Sequence, residues 1–485
     1  MVRRGYWSSA AVALVLGFAL WSCGETKTDT MVSEDASGDL DTDALAPMLT
    51  PWPREFPPSD ELGIRRGLRV SRAIVHLHSP LSHDACDGEG FGDGELRDEV
   101  CLAHLREGIC NLRLDAVFLT DHAPHIEETS FASALWIAEG DEAIVDAAGE
   151  TVANHMRCED GHRVLLTAGS ENALMPLALE RHVIASDDQD ELRAAYDATG
   201  PDAVTAFREA GGLAWIAHTE DKSLELLRSL GLDGLEIYNL HANIDPDIRE
   251  EHLGLDPFSF AGDLFRFANP RSGLEPDFAI LTFLSENRNA LDKWDTLLAE
   301  GFRVAGTAGT DAHENALPGL LSDGERGDSY RRMMRWFSNH LLVLERTLEA
   351  TRDALRVGRA YVSFDIFGLP MDFDFYATSG AESYEMGGDA PVGSTLHVAR
   401  PHLPEDFPSE PAPEIVVRLL RAADGGAIEV ASAASGDLEY TVSEPGVYRA
   451  EVRITPHHAA PYLGNLAERL VRPLPWVYSN PIYAR

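Results

Sequence analysis

Three histidines and an aspartate fall within "VHLHSPLSHD", Val75 to Asp84, directly after an apolar run. Imidazoles and carboxylates set close together are the donor types that hold zinc, manganese or iron. In a chain with 18 histidines such a stretch is near chance and decides nothing by itself. Its weight comes from downstream. Asp121 and His122 in "LTDH", Glu171 in "AGSE", His218 in "IAH", and Asp311 and His313 in "GTDAH" each close an apolar run. Alternate residues of a strand share a face, so His76 and His78 can grip one ion, as can Asp311 and His313. Glu171 has two oxygens with which to bridge two ions. Paired ions suit hydrolysis, in which one lowers the pKa of a bound water, the nucleophile, and the other polarises the scissile group. No side chain is assigned as general acid.

The elements that must position these residues alternate. Strands are expected over "RAIVHLH" (72–78), "LDAVFLTDH" (114–122), "HRVLLTAGSE" (162–171), "LAWIAH" (213–218), "GLEIYN" (234–239) and "FRVAGTAGTDAH" (302–313). Helical spacing marks 95–110, 202–212, which stops at two glycines, and 347–358, with Thr347 as N-cap and Gly358 as stop. Alternating strands and helices argue a parallel sheet. No glycine-rich phosphate turn follows the first strand, so a dinucleotide-binding sheet is disfavoured. Polar residues gathered at C-terminal strand ends favour a βα barrel. Residues 240–300 form an aromatic- and arginine-rich insertion, expected as a helical cap. Beyond residue 365 the pattern turns to short strands and turns, expected as a small β-sandwich-like domain over 366–485.

The 485 residues exceed one ordinary core, and the formal charge of −40 opposes binding to nucleic acid polymers. The expected partner is a small anionic or ester substrate. The first 23 residues read as an export signal: Arg3 and Arg4, the apolar run "AAVALVLGFAL", then "LWSCG". That ending resembles a bacterial lipobox, which implies lipidation at Cys23 and anchoring to the outer membrane; an ordinary signal peptide or a membrane anchor is the alternative. Residues 24–58 read as an acidic, flexible tether. Cys86, Cys101, Cys110 and Cys158 remain, an even number suited to disulfides in an exported chain, with three pairings open.

In order, "HLHSPLSHD", "LTDH", "AGSE", "RHVIAS", "IAHTE", "GLEIYN" and "AGTDAH" resemble the motifs of the PHP (polymerase and histidinol phosphatase) superfamily, across about residues 72 to 365. "GRAYVS" and the closing "WVYSNPIYAR" resemble the exported metallohydrolase branch named after carbaryl hydrolase (CehA/McbA-like). The resemblance implies a distorted (β/α)7 barrel over 59–365, with two or three divalent ions. It implies that His76 and His78 hold a first metal with Glu171 and Asp311. Glu171 would bridge to a second held by His182 and His218. A third would be held by His122, His313 and either His83 or Asp84. Asp121 is expected to orient a ligand from behind. Tyr238 and Asn239, with Arg266, Arg271 and Arg288 from the insertion, are candidates for substrate contact, and Thr219 and Glu220 are weaker ones.

The leading expectation is thus a metal-dependent hydrolase, a phosphoesterase of the phosphoric ester class. The same site could cleave a carbamate, ester or amide. A lipid-anchored binding protein that has lost catalysis is the alternative from another class. The ordinary amidohydrolase barrel often uses a carboxylated lysine, and none of Lys27, Lys222 and Lys293 follows a suitable strand.

Overall fold

The computed structural model describes residues 49–485. The export signal, Cys23 and the tether as far as residue 48 lie outside the described residues. The site belongs to the compact unit Pro53–Arg485. The elements that matter here are, in chain order, β1 (Leu68–Leu77), α1 (Glu99–Asn111), β2 (Ala116–Leu119), β3 (Thr151–Arg157), β4 (Arg163–Ala168), β5 (Met175–Leu177), α2 (Pro201–Glu209), β6 (Leu213–Trp215), β7 (Gly234–Asn239), α3 (Arg288–Ala299), β8 (Ala305–Gly309), β9 (Ser338–Val343), α4 (Leu348–Val357) and β10 (Ala360–Ser363).

Five of these strands run parallel in the order β7-β8-β1-β2-β4. Such strands are covered on both faces, which is why "RAIVHL" and "AVFL" read as continuous rather than alternating apolar runs. β5 and β6 pair antiparallel beside them. Leu179 donates its amide to Ala168 at the end of β4, and Glu236 of β7 donates to Ile216 just past β6. The chain of links thus leads from β4 through β5 and β6 to β7.

The sheet is mixed, not purely parallel. β9 joins the other side of β1 antiparallel, followed by β10, and strand Leu474–Ser479 pairs antiparallel with β10. Strands from the C-terminal region therefore continue the large sheet, which holds sixteen strands among the described residues. A separate four-stranded antiparallel sheet is built from Asp374–Ser379, Glu382–Glu385, Thr395–Ala399 and Leu438–Thr441.

Local signals act as their chemistry requires. Asp98 caps α1 by accepting from the amides of Val100 and Cys101, and Thr347 caps α4 by accepting from Ala350. Gly358 ends α4 with φ 74°, a conformation that favours glycine. The expected strand 302–313 is trimmed to β8, because its polar end leaves the sheet to form the site, whereas 72–78 reaches back to Leu68 and stops one residue short, at Leu77. The cysteines pair Cys86–Cys101 and Cys110–Cys158. The first pair joins the loop after β1 to α1, and the second joins the end of α1 to the residue after β3.

The insertion between β7 and β8 is helical, with short turns before α3. It is tied to the segment after β8 by Asp277, which is buried and accepts from Arg331 at 2.7 and 3.0 Å and from Arg332, with Arg335 at 3.7 Å. Burial would raise the Asp277 pKa, but the guanidiniums of Arg331, Arg332 and Arg335 outweigh it and hold the carboxyl well below its usual range. Removing one partner of a buried ion pair strands the others, at a cost of about 3–5 kcal/mol. Asp277→Ala is therefore expected to destabilise the fold by roughly that amount in chemical denaturation. A change below ~1 kcal/mol, the scale of an exposed pair, would contradict this account.

Candidate metal centre

Every residue of the cluster sits at the C-terminal end of a strand or just past it: His76 on β1 and His78 just after it, His122 after β2, Glu171 after β4, His218 after β6, His241 after β7, and Asp311 and His313 after β8. Backbone bonds lace these ends together. Asp311 donates its amide to the carbonyl of His76, His78 to Ala312, Thr120 to Leu77 and Glu171 to Thr120. The pairing of β1 with β2 shifts register between Val75 and Leu77, with His76 at φ 72°. His218 at φ 50° and Asp311 at φ 52° are also left-handed. Each such non-glycine residue costs on the order of 1–3 kcal/mol, a strain that concentrates at functional sites.

His76, His78, Glu171 and Asp311 form a buried set of four. The Nε2 of His76 lies 3.0 Å from His78 Nε2, 2.9 Å from Glu171 Oε2 and 3.2 Å from Asp311 Oδ1. His78 Nε2 lies 3.2 Å from each of the same two oxygens. The other carboxylate oxygens face a second group: His218 Nε2 is 3.3 Å from Glu171 Oε1 and 3.2 Å from Asp311 Oδ2, and His241 Nδ1 is 3.3 Å from Asp311 Oδ2. A third group is His78, His122 and His313, with the His78 and His313 rings stacked at 3.7 Å.

Five rings are fixed from behind in the same way. Nδ1 of His76 donates to Glu236 Oε1 at 2.6 Å, and Nδ1 of His78 to Ser82 Oγ at 3.1 Å. Nδ1 of His122 donates to the Glu171 carbonyl at 2.6 Å, that of His218 to Glu220 Oε1 at 3.1 Å and that of His313 to the Asp311 carbonyl at 2.9 Å. With Nδ1 committed as a donor, the nitrogen left to face the cluster is Nε2, which in the neutral ring offers its lone pair to an ion, the arrangement that metal-binding histidines use. Ser82 serves twice more: its hydroxyl donates to Asp84 Oδ1 and accepts the amide of His122.

The residues present fit cations. Asp311 Oδ1 and His313 Nε2 are buried with no hydrogen-bond partner among the described residues. The two Nε2 atoms 3.0 Å apart would confront each other as lone pairs. Burial would lower the His76 pKa, yet Glu171, Glu236 and Asp311 outweigh it and hold it well above its usual value. His78 is raised to about 9 against its own burial, chiefly by Asp311 and Glu171. Burial favours protonated carboxyls, but facing imidazoles, His76 foremost, hold Glu171 and Asp311 well below the usual range. Burial, with His78 alongside, pushes His313 down to about 3. Ionised carboxylates among crowded imidazoles are a site built to receive positive charge.

The structure brings seven of the expected ligands together: His76, His78, His122, Glu171, His218, Asp311 and His313. It does not bring His182 to them, since both its ring nitrogens are engaged, with the Tyr196 hydroxyl and the Thr129 carbonyl at 3.0 Å each. His83 is exposed, its ring centroid 5.6 Å from that of His122, and Asp84 Oδ1 lies 3.6 Å from His313 Nε2; neither belongs to a metal-holding group among the described residues. Asp121 accepts from the amide and hydroxyl of Ser79 and anchors the loop after His78. Asn239 is buried and donates to Glu236 and Asp311, while Tyr238 packs edge-on against Phe337 and Phe364. Arg266 is bonded to Asn465, and Arg288 is exposed with Glu286 at 3.3 Å. Arg271 is exposed. None of these arginines is brought to the cluster.

Sequence reasoning missed His241 and Glu236. Both lie in "GLEIYNLH", and the rule that picked the other ligands, a polar residue at or just past a strand end, would have picked His241. Glu236 lies inside β7, where only its contacts give it away: it accepts from His76 Nδ1, the His218 amide and Asn239 Nδ2. Room for it exists because residue 309 is glycine, since a Cβ there would lie 1.8 Å from Glu236 Oε1.

No family model matches the chain, and no curated protein is detectably similar. Among solved structures, it is similar to a two-domain protein containing a predicted PHP-like metal-dependent phosphoesterase from Bacteroides vulgatus. That match has 14% identity and a TM-score of 0.35 over 88% of this chain and 98% of the other. The PmoD soluble domain from a Methylocystis species matches 24% of this chain and 94% of its own length, with 9% identity and a TM-score of 0.16. At those scores neither carries an argument, and the reading rests on the cluster.

Glu236→Gln places an amide N–H where three donors converge. It is expected to lower affinity for divalent metal by ~10–100-fold, the scale for partners behind a ligand, with circular dichroism unchanged. Wild-type affinity in a metal titration would contradict the role given to Glu236.

Proposed function

We propose that the protein is a metal-dependent hydrolase that cleaves phosphate esters, with two or three divalent ions drawn from zinc, manganese and iron. The observation that carries the metal part is the buried set His76, His78, Glu171 and Asp311, whose free nitrogens and oxygens converge within 3.2 Å of His76 Nε2. The phosphate ester part is supported by the resemblance of the motif series to the PHP superfamily. The strand links from β4 through β5 and β6 to β7 support the distorted barrel that this resemblance implies, and strands from beyond residue 365 extend its sheet.

Ions bound there would supply the Lewis acidity that makes water a nucleophile at neutral pH and offsets charge developing on the scissile group. The chain's own residues do the rest. Glu171 and Asp311 each direct one oxygen to the His76 side and the other to the His218 side, which sets the spacing of two neighbouring sites. Glu236, Ser82 and Glu220 keep the His76, His78 and His218 rings from turning. The side chains of His122, His218 and His241 are 25%, 21% and 30% exposed, so substrate approaches from their side. The five hydrogen-bonded or ion-paired carboxylates around the rings (Asp84, Glu171, Glu220, Glu236 and Asp311) make this an acidic pocket, so a substrate anion depends on the ions for its attraction.

Two disulfides and the lipobox resemblance support an exported chain anchored through Cys23, and the charge of −40 supports a small-molecule substrate. His78→Ala and Asp311→Ala are expected to abolish turnover of phosphate esters while the melting transition stays cooperative. Wild-type rates in either would refute the site. In a panel of phosphate, carboxyl and carbamate esters, turnover confined to the carbon esters would overturn the phosphoesterase reading.

A further inference from the structure

We infer that His241 is a ligand of the second metal ion and that this chain does without His182 there, an inference that rests on the metal-dependent reading above. The second-ion position is defined by the carboxylate oxygens that the first set leaves over. Glu171 Oε1 and Asp311 Oδ2 face His218 Nε2 at 3.3 and 3.2 Å. One further donor is needed for four ligands. His241 Nδ1 stands 3.3 Å from Asp311 Oδ2, the same oxygen that faces His218 Nε2.

The placement of His241 is built in. It opens a short turn, His241–Asn243, immediately after β7. Asn239 fixes that turn by accepting the Ala242 amide on Oδ1 while its Nδ2 donates to Asp311 and Glu236. Leu240 donates its amide to the Gly309 carbonyl at the end of β8, so the turn is bonded to the strand that leads into Asp311. Asn243 continues the tie, its Oδ1 accepting the Ser285 amide. One asparagine thus orients both His241 and the carboxylate it faces.

His182 is held elsewhere by equally definite contacts. Its Nδ1 is 3.0 Å from the Tyr196 hydroxyl and its Nε2 3.0 Å from the Thr129 carbonyl. To ligate an ion it would have to give up at least one of these bonds. No atom of His182 lies in the three metal-holding groups among the described residues.

The test is metal stoichiometry of the full chain in detergent, stripped with chelator and titrated with Co²⁺, read by elemental analysis and by the visible absorption of the bound ion. Wild type is expected to take up at least two equivalents. His241→Ala and His241→Gln should keep the tightest equivalent and its spectrum, and lose the next one or bind it more than ~100-fold more weakly, beyond the cost of disturbing a partner behind a ligand. His182→Ala should match wild type in count and affinity. An unchanged titration in both His241 variants, or loss of an equivalent in His182→Ala, overturns the inference while leaving the metal site standing. A wild-type chain that binds no Co²⁺ overturns the inference together with the reading beneath it. The retained spectrum of the first equivalent reports that a variant is folded, and a variant that loses both equivalents counts against the assignment of His241 to the second position alone.

Discussion

Two ionised carboxylates, Glu171 and Asp311, are buried side by side at the mouth of a sheet, and much of the local structure answers to that. A buried carboxylate is costly unless positive charge and donors surround it. Here imidazole nitrogens surround them: Glu171 faces His76, His78, His122 and His218, and Asp311 faces His76, His78, His218, His241 and His313. The rings cannot all be protonated so close together. Cations shared between the carboxylates satisfy both requirements at once, accepting lone pairs from the rings and neutralising the acids.

The fold supplies the geometry through strand ends. Parallel strands β7, β8, β1, β2 and β4 finish at one edge, so short loops from distant parts of the sequence meet there. Register shifts at His76 in β1 and at Ile237 in β7 turn side chains inward where a regular pleat would alternate them. Left-handed backbone at His76, His218 and Asp311 adds to this. The same strand ends are braced from outside by the Cys86–Cys101 link and by the Asp277 ion cluster, which tie the loop after β1 and the insertion to the body of the molecule.

Much of this was legible from residue types. The parallel strands announce themselves as apolar runs, β7 within its observed limits, and seven residues of the cluster follow from polar residues at the ends of such runs. Other features depend on partners distant in sequence. The antiparallel strand β9 reads as "SNHLLV", too short and too apolar to declare its direction. The pairing of four cysteines needs the fold. His182 matches a motif, yet Tyr196 and Thr129 claim both its nitrogens, which only packing reveals. His241 obeys the strand-end rule but stands outside the motif series, so a reading guided by motifs passes over it. Glu236 looks like a buried strand residue of no special use until Gly309 is seen to make room for it.

Everything proposed for this site turns on whether His76, His78, Glu171 and Asp311 enclose a divalent ion. The most direct measurement is anomalous diffraction at a metal absorption edge, from crystals of the protein grown with Mn²⁺ or Zn²⁺. The account predicts an anomalous peak bonded to His76 Nε2, His78 Nε2, Glu171 Oε2 and Asp311 Oδ1, at about 2.0–2.2 Å from the ligands if the ion is zinc. Metal-saturated crystals with no peak among these four atoms, or with peaks only elsewhere, would contradict it.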